Sequence, residues 1–471
     1  MKRYAVLLML ALAAACASPE REVRIGLASA PMALDTAPAD HETTIIARNI
    51  YEGLVEYDRS LSPVPSLAVS WETPEPRTWI FRLRPGVRFH DGRLLQAEDA
   101  AHSILYARDS ETSHLRTHLE PVTAAESVDG LTVRVRTKFP VSELLHLFSS
   151  VGIIPEGDAP AGVGTGPYRL ASIGKDGAVL EAFDGYWGRA PSIRRLRFFV
   201  MGDEGPEAHL AGDGSFIFRD AARFAGALPP SLERRSTPGM AVNYLGFDLK
   251  LSPFDNIHLR RAIRLAVDAP RIIRERLHGN AIPSCQMVPI NAFGHHTGLS
   301  CPPDPAGAAR EMEASGLPRP LDLTVKCTAK GERTMDFIRE DLAPAGIRLA
   351  VEVRPWAEIL TALQERRLDF YFSGYLSSFA NGRTTMEMLF SSWGGFNTFH
   401  YQNKSVDELL LQARTNFRDA ERVRLLMECQ EVVFADLPCI PLYNLSENYA
   451  VSRDLRWRPR QDGLILGKEI N

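Results

Sequence analysis

The sequence has little of what marks several large classes of protein. Its 471 residues contain 54 Lys and Arg against 58 Asp and Glu, so no cationic excess is available to neutralise a nucleic acid backbone. No apolar run approaches the roughly 20 residues that a membrane-spanning helix needs. Cysteine is scarce, with six in the chain and no C-x-x-C pair, which removes the usual signature of a zinc ribbon or a thioredoxin-like site. Hydrophobic residues make up 45% of this long chain, which predicts a globular protein of more than one domain, without nucleic acid as a partner.

The motifs of common hydrolases and phosphate-binding enzymes are missing as well. No G-x-S-x-G occurs, and the run HETTI at residues 41–45 has only half of a metalloprotease motif, because Ile45 stands where the second histidine belongs. The run GTG at residues 164–166 is followed by Pro167, which lacks the amide hydrogen that a phosphate cradle would use. The sequence therefore predicts no enzyme and no cofactor.

Two histidine pairs are candidate metal ligands. His114 and His118 stand four residues apart, and His295 and His296 are adjacent in a glycine-flanked loop. Either pair could share a metal, but a solvated surface position is favoured for both. We predict no metal site.

The N-terminus has the layout of an export signal. Lys2 and Arg3 precede an apolar run at residues 4–15, and Cys16 follows three alanines. This arrangement resembles the signal of bacterial lipoproteins, although the usual leucine sits one place early, as Leu12. We expect residues 1–15 to be a signal peptide, Cys16 to carry lipid and residues 16–22 to form a tether. Simple cleavage with release into the periplasm is the alternative.

Export affects the interpretation of the remaining five cysteines. Cys285 and Cys301 flank a segment rich in Gly, Pro and His, which favours a disulfide that closes a surface loop. Cys327 continues a strand-like alternation and Cys429 lies in a helix-like run, so both are expected in the core.

Periodicity predicts alternating strands and helices. Val23, Ile25 and Leu27 alternate as a strand, and a helical pattern with Asp40 as N-cap runs from Ile45 to Leu54. Further strands are predicted at residues 79–83, 131–135, 179–183, 196–200 and 242–247, and further helices at 97–108, 259–267 and 406–417. Residues 321–374 follow the order strand, helix, strand, helix, strand, which is the parallel βαβαβ arrangement.

Several ordered motifs together carry a family resemblance. They are IYEGLV at 50–55, TWIFRLRPGVRFHDG at 78–92, LQAEDA at 95–100, VGTGPY at 163–168, YW at 186–187, YLGF at 244–247, PFD at 253–255 and DLPCIP at 436–441. This set resembles the family 5 solute-binding proteins of ABC importers, which take up peptides, nickel chelates and some sugars.

The resemblance implies an α/β, two-lobed periplasmic-binding-protein fold of class II type. Lobe I would comprise residues 23–40, 164–247 and 443–471, with residues 41–163 as an inserted subdomain, and lobe II would comprise residues 248–442. The lobes would close by hinge motion near residues 244–249 and 442–448.

The resemblance also implies a function. The chain would capture a small solute between the lobes, without changing it chemically, and deliver it to the permease and ATPase subunits of an ABC importer. It would act as a monomer that touches the membrane only through its lipid. The alternatives are an exported binding protein that works in signalling, chaperoning or lipid handling without a transporter, and an exported hydrolase.

Ligand chemistry is predicted from one stretch of the family pattern. Peptide-binding relatives present an aspartate to the ligand's α-ammonium from a Gly-Trp-x-x-Asp-Tyr stretch, and Ser378 stands in its place here, within residues 374–382. Because a hydroxyl cannot supply a charge-assisted bond, we expect the ligand to be neutral, anionic or masked at its amine. Glu52 or Asp35 could supply the missing carboxylate, and Ser378 could also lie outside the cleft.

The resemblance and the aromatic stretch at residues 390–401 give a set of predicted ligand contacts. They are Tyr51, Tyr244, Tyr375, Ser378, Phe379, Trp393, Phe396 and Asn397. The stretch suits either a wall that stacks on an uncharged ligand or a small core that holds a loop.

Overall fold

The computed structural model describes residues 21–471 except 39, 158–160, 203–204, 211–213, 225 and 378. The predicted signal peptide, Cys16 and Ser378 therefore lie outside the described residues. The strands are β1 (Glu22–Leu27), β2 (Val55–Tyr57), β3 (Pro63–Pro65), β4 (Ala68–Glu75), β5 (Thr78–Leu83), β6 (Val122–Asp129), β7 (Thr132–Thr137), β8 (Tyr168–Gly174), β9 (Gly177–Ala182), β10 (Arg195–Val200), β11 (Ser215–Arg219), β12 (Leu232–Phe247), β13 (Ala281–Pro283), β14 (Leu321–Cys327), β15 (Ile347–Val353), β16 (Phe370–Leu376) and β17 (Cys439–Ser452).

The helices lie between these strands. They are α1 (His41–Ile50), α2 (Ala97–Asp109), α3 (Arg116–Leu119), α4 (Leu144–Phe148), α5 (Ile257–Ala266), α6 (Ala269–Arg271), α7 (Pro305–Ala314), α8 (Ala329–Leu342), α9 (Trp356–Gln364), α10 (Gly382–Phe390), α11 (Lys404–Thr415) and α12 (Asp419–Asp436), with short 3-10 turns at Pro206–His209, Ala221–Arg223, Ala343–Ala345 and Gly467–Glu469 and a π turn at Ile272–Arg276. No helix among the described residues is both long and apolar enough to span a bilayer.

Eleven strands form one mixed sheet that runs through both halves of the protein. Its order is β15-β14-β16-β12-β17-β11-β1-β10-β9-β8, and β13 pairs with β17. The two long antiparallel strands β12 and β17 lie in the middle, between the β1 side and the β14 side. The halves are therefore joined by continuous backbone pairing.

An irregularity interrupts the pairing of β12 with β17. The register shifts between Pro238 and Val242 and again after Asn243, so β12 bulges there. The buried Asn444 donates its side-chain amide to the carbonyls of Gly239 and Ala241, both at 2.9 Å, and accepts the N–H of Ile290 at 3.0 Å. The side chain of Asn444 thus replaces the backbone hydrogen bonds that β12 and β17 do not form at the bulge.

The β1 side of the sheet is built as its alternation predicts. Val23, Ile25 and Leu27 are fully buried, and β1 pairs in parallel with β10 and β11. Helix α1 packs its apolar residues into the same core as this sheet.

A separate four-stranded antiparallel sheet, β4-β5-β7-β6, has its own hydrophobic core with α2, α3 and α4. The predicted insertion at residues 41–163 covers this unit, but its first helix, α1, belongs to the core of the main sheet. The division into lobes and subdomain by residue stays a prediction.

The βαβαβ arrangement predicted after residue 320 is confirmed. Strand β14 pairs in parallel with β15 on one side and with β16 on the other. Helix α8 connects β14 to β15, and α9 connects β15 to β16. The buried positions of Cys327 in β14 and Cys429 in α12 also match the prediction.

The segment between β13 and α7 contains the two loop cysteines. The structure joins Cys285 to Cys301 by a disulfide, with their Cα atoms 5.8 Å apart. Cys327, Cys429 and Cys439 are buried free thiols.

Candidate functional site

A cleft of about 390 Å³ lies where helix α1 faces the end of strand β16. One wall is α1 with the segment that follows it, a second is the C-terminal segment at residues 460–468, and the opposite side is formed by Leu376, Ser377 and Ala380. Met240, in the bulge of β12, also lines the cleft. The charged and titratable side chains in the lining are Asp40, His41, Arg48, Tyr51, Glu52, Glu56, Tyr57, His114, Arg219, Glu447, Arg460, Asp462 and Lys468.

Helix α1 presents a polar stripe to this cleft. It begins at its N-cap Asp40, whose Oδ1 accepts the N–H of Thr43 at 2.8 Å. His41, Thr44 and Arg48 follow at helical spacing on one face and line the cleft, while Ile45 and Ile46 are buried in the core. The amphipathic pattern that packs the helix also orients its polar residues toward the ligand space.

The carboxylate of Glu52 is held by three protein donors. Its Oε1 accepts the hydroxyl of Tyr186 at 2.8 Å, and its Oε2 accepts Trp187 Nε1 at 2.8 Å and Thr165 Oγ1 at 3.0 Å. Burial raises the pKa of this carboxyl. Both carboxylate oxygens of Glu52 are therefore already hydrogen-bonded to residues of the protein.

Other acids in the lining are paired with cations. Glu56 accepts Lys468 Nζ at 2.6 Å, Glu447 accepts Arg219 at 3.1 Å, and Asp462 accepts Arg460 at 2.7 Å. Asp40 differs, because its Oδ2 is buried without a hydrogen-bond partner.

Asp35, the other acid considered from the sequence, is also occupied. Its Oδ1 accepts the N–H of Thr36 at 2.6 Å and its Oδ2 accepts the hydroxyl of Thr112 at 2.6 Å. Asp35 is not among the residues that line the cleft.

Arg48 is the cation of the cleft that stands alone. Arg219 binds two carboxylates, Glu42 and Glu447, whereas the half-buried side chain of Arg48 makes no hydrogen bond or ion pair with any described residue. Burial lowers the pKa of Arg48 to about 10, still far above neutral pH. The cleft thus contains one charged guanidinium without a protein partner.

Of the predicted ligand contacts, the structure brings Tyr51 to the cleft. Its hydroxyl accepts the N–H of Gly162 at 2.7 Å. Tyr244 and Phe379 are buried in hydrophobic cores, and Asn397 donates to the carbonyls of Ser391 and Tyr401 inside a loop. These three side chains are packed within the protein and are not among the residues that line the cleft.

The other predicted contacts lie elsewhere or outside the described residues. Trp393 and Phe396 are 44% and 43% exposed and are not in the cleft lining, and Tyr375 packs near Phe396 with ring centroids 6.3 Å apart. Ser378 is not described, although its neighbour Ser377 lines the cleft. A ligand contact by any of the eight residues stays a prediction.

Sequence reasoning missed Arg48, Asp40 as a lining acid, and the whole C-terminal wall. The signal for Arg48 was present, because a polar stripe at positions 41, 44 and 48 lies opposite Ile45 and Ile46. No local pattern links residues 460–468 to α1, because they meet only through the tertiary fold.

The expectation that the histidine pairs are solvated is corrected by the structure. All four rings are half-buried, and His114 bonds through Nδ1 to the carbonyl of Ala37 at 3.1 Å. His118 packs edge-on against Phe379, with ring centroids 4.8 Å apart. Packing rather than solvent surrounds these side chains.

Away from the residues that line the cleft, a charged cluster joins the four-stranded unit to helices α10, α11 and α12. We call it the arginine contact, and it consists of Glu143, Arg383, Glu387, Arg414 and Arg422. Glu143 and Arg383 are 3% and 5% exposed and form an ion pair, and Arg383 also pairs with Glu387. Glu387 in turn accepts Arg414 at 3.1 Å.

Ring and backbone contacts surround the arginine contact. The guanidinium of Arg414 lies 4.4 Å from the ring centroid of Phe139, and that of Arg422 lies 4.4 Å from Phe293. The N–H of Ser142 donates to the carbonyl of Arg414 at 3.0 Å. A buried polar contact therefore joins the four-stranded unit to the neighbouring helices.

Comparison with known proteins agrees with this architecture. NikA from Brucella suis, in complex with Fe(III)-EDTA, superposes with a TM-score of 0.84 at 18% identity, over 96% of this chain and 99% of the other. The DppA protein from Helicobacter pylori, in complex with the peptide STSA, gives a TM-score of 0.76 at 20% identity, over 96% and 97%. These two-lobed binding proteins establish the α/β fold.

Sequence relatives and a family model extend the comparison. The glutathione-binding protein GsiB of Escherichia coli O1:K1 is 26% identical over 466 residues, which cover 92% of this chain and 90% of that protein. The model for bacterial extracellular solute-binding proteins, family 5 (middle), matches residues 62–397, more than half of the chain. The chain therefore belongs to the family 5 bacterial extracellular solute-binding proteins.

Proposed function

We propose that this protein captures a small solute in the cleft beside α1 and delivers it to the permease and ATPase subunits of an ABC importer. The observation that carries the proposal is the cleft itself. Its volume of about 390 Å³ lies within the range of small-molecule sites, and both halves of the main sheet contribute to its walls. The relative named as glutathione-binding matches nearly the full length of the chain, which supports the same role.

The proposed delivery leaves the solute chemically unchanged. Two hydroxyls in the cleft lining donate to backbone carbonyls, Thr44 to Asp40 and Ser149 to His146. Among the described lining residues, no serine or threonine hydroxyl bonds to a histidine ring, as an activated nucleophile would require.

A mass measurement tests solute capture directly. Chain purified without refolding is expected to carry a small molecule in native mass spectrometry, and collision should release it with its mass unchanged after prolonged incubation. Chain that has been unfolded and refolded without solute is the matched control. Failure to retain any small molecule, together with no rise in melting temperature on adding cell extract, would contradict the proposal, as would product formation.

We further propose that the protein is exported, anchored by lipid on Cys16, and monomeric. The apolar run before Cys16 supports this, and an acyl chain contributes about 0.8 kcal/mol per buried CH₂ to membrane binding. Cys16→Ser should move the protein from the detergent phase to the aqueous phase, and Cys327→Ser is the control that should leave partitioning unchanged. Equal partitioning of the Cys16 variant and the wild type would refute the anchor.

The proposed solute is neutral, anionic or masked at its amine. Besides the serine at position 378, the paired state of Glu56, Glu447 and Asp462 supports this, because an incoming ammonium would have to displace a protein cation. Asp40 is the lining acid that could still accept one. Sub-micromolar binding of free-amine tetrapeptides in calorimetry, retained in Asp40→Asn, would contradict this proposal.

A further inference from the structure

The side chain of Arg48 is placed for a role that the fold does not need. It lies on the cleft face of α1, seven residues after His41 and four after Thr44, and all three line the same space. Helix α1 is already fixed at its start by the Asp40 cap and along its length by buried isoleucines. No described residue bonds to the guanidinium of Arg48.

The acids around Arg48 are engaged with other groups. Asp462 and Glu56 are near enough to favour the charged form of Arg48, but Asp462 bonds to Arg460 and Glu56 bonds to Lys468. Arg460 is held further by Glu469 at 2.8 Å and by the carbonyl of Tyr57 at 3.0 Å. The two acids nearest in charge effect to Arg48 are therefore each paired with another cation.

His41, at the other end of the polar stripe, carries no positive charge that would attract an anion. Burial, together with the positive charge of Arg219, lowers the pKa of His41 to about 3, so this ring is neutral at physiological pH. Arg219 bonds to both Glu42 and Glu447. Positive charge that is free of a counterion is therefore concentrated at Arg48.

A guanidinium removed from bulk water and left without a partner costs free energy, and an anionic ligand can recover that cost. The planar fork of arginine matches a carboxylate with two parallel hydrogen bonds. Lys468 and Arg460 could not do this without abandoning their own acids.

We propose that Arg48 is the anchor for a carboxylate of the solute. This assignment rests on the proposed function and deepens it, because it specifies an organic acid as the solute class of the same cleft. The solute's carboxylate replaces the water around the guanidinium, while Tyr51, Met240 and Leu376 contact the rest of the molecule.

The test uses pairs of acid and amide probes, in which the amide lacks the charged carboxylates of the acid. Calorimetry compares reduced glutathione with its diamide, and N-acetyl-trialanine with its amide, on wild-type protein freed of bound solute. The variants are Arg48→Gln and Arg48→Lys. Arg333→Gln, at an exposed position of α8, is the control that removes one positive charge far from the cleft. The solute that co-purifies with each variant is measured in parallel by negative-ion mass spectrometry.

We expect at least one acid to bind the wild type about 100-fold more tightly than its amide, since truncating one partner of a buried charge pair costs several kcal/mol. Arg48→Gln should abolish that preference and lose the co-purified anion, Arg48→Lys should weaken binding about tenfold because the fork is gone, and Arg333→Gln should match the wild type.

Two results would overturn the anchor while leaving solute capture intact. One is an Arg48→Gln protein that still prefers acids over amides, and the other is a wild-type protein that co-purifies with a neutral solute and binds amides as tightly as acids. A wild-type protein that retains no solute and binds none of the four probes would overturn the proposed function together with the anchor.

Discussion

Two arginines with little access to solvent, the buried Arg383 and the half-buried Arg48, have different surroundings. Arg383, in the arginine contact, is bonded to Glu143 and Glu387. Arg48, on α1, is bonded to no described residue. Burial lowers the pKa of both side chains, so both sites bear the cost of desolvating a cation. The comparison teaches that the fold supplies counterions to the buried Arg383 between the four-stranded unit and its neighbouring helices. Within the described part of the chain, it leaves Arg48 without a counterion in a cleft whose other arginines and lysine are paired.

The consequence is a difference in what each arginine stabilises. Removing a partner of Arg383 leaves a buried charge uncompensated in the protein at all times. Removing Arg48 deletes a charge that is uncompensated only in the absence of solute. Substitutions at the arginine contact should therefore lower the stability of the protein, whereas substitution of Arg48 should weaken solute binding.

The largest effect on stability is expected for Glu143→Gln, which removes one carboxylate partner of Arg383. It leaves Arg383 with Glu387 alone while Arg414 and Arg422 still lie close by, and the loss of one member of a buried pair costs about 3 kcal/mol or more. The free energy of urea unfolding measures this loss.

Glu120→Gln is the matched control for this substitution. Glu120 pairs with Lys138 at the surface, where both side chains are about half exposed, so a change of about 0.5 kcal/mol or less is expected. The double variant Glu143→Gln/Arg383→Met should recover at least half of the loss, because no charge is then left without its partner. A loss for Glu143→Gln as small as that for Glu120→Gln would refute the role assigned to the arginine contact.

The next largest effect is a dependence of the unfolding free energy on pH, which arises from His146 near two arginines of the arginine contact. Burial and the charges of Arg422 and Arg383 lower the pKa of His146 to about 3, while an unfolded chain would bind that proton near 6.5. The folded state therefore binds fewer protons than the unfolded state between these values, and stability must fall as the pH falls through that window. Each unit of pH should cost about 1.4 kcal/mol for this histidine, or about 3 kcal/mol between pH 6.5 and pH 4.

His146→Gln should remove that share of the slope while keeping a partner for the hydroxyl of Tyr57, which lies 3.0 Å from His146 Nδ1. His278→Asn, at an exposed turn, serves as the control and should leave the slope unchanged. Plots of unfolding free energy against pH that are parallel for the wild type and His146→Gln would disprove the assignment.

The smallest effect on stability is expected at Arg48, the unpaired arginine of the comparison. In protein freed of solute, Arg48→Gln should leave the unfolding free energy unchanged or raise it by about 1 kcal/mol, because an unpaired buried charge is removed. Arg383→Gln should lower it by about 3 kcal/mol in the same measurement. A fall above 1 kcal/mol for Arg48→Gln would mean that Arg48 stabilises the fold itself.

Much of the fold could be predicted from the sequence because its determinants are local. The alternation of Val23, Ile25 and Leu27 specifies a strand whose apolar face is buried. Asp40 starts α1 by capping it. Boundaries were less accurate, since the pattern suggested a helix as far as Leu54 and α1 ends at Ile50. The segment after Ile50 becomes extended where it meets the backbone of the VGTGPY motif, with Gly166 donating to the carbonyl of Ile50.

The site was harder to predict because its character depends on distant pairings. From the sequence, Glu52 was one of two acids that could supply a carboxylate to the ligand. Its donors Thr165, Tyr186 and Trp187 lie more than 100 positions away in the chain. The pairing of Glu56 with Lys468 spans 412 positions, so the solitary state of Arg48 could not be known before its neighbours were placed. Charge patterns along a chain identify candidates, and only the fold decides which of them are already neutralised.

The bulge of β12 has a mechanical consequence for the joint between the halves. At Gly239 and Ala241 the strand carbonyls bond to the amide of Asn444, and the carbonyl of Met240 accepts the N–H of Ser377 at 3.0 Å. A side-chain amide can follow a moving carbonyl by torsion of its own bonds, whereas a paired strand must move as a unit. The pairing of β12 with β17 is therefore interrupted at one short segment, where side-chain torsion rather than a strand ladder sets the position of the backbone. Because Met240 also lines the cleft, a solute bound there would contact this segment directly.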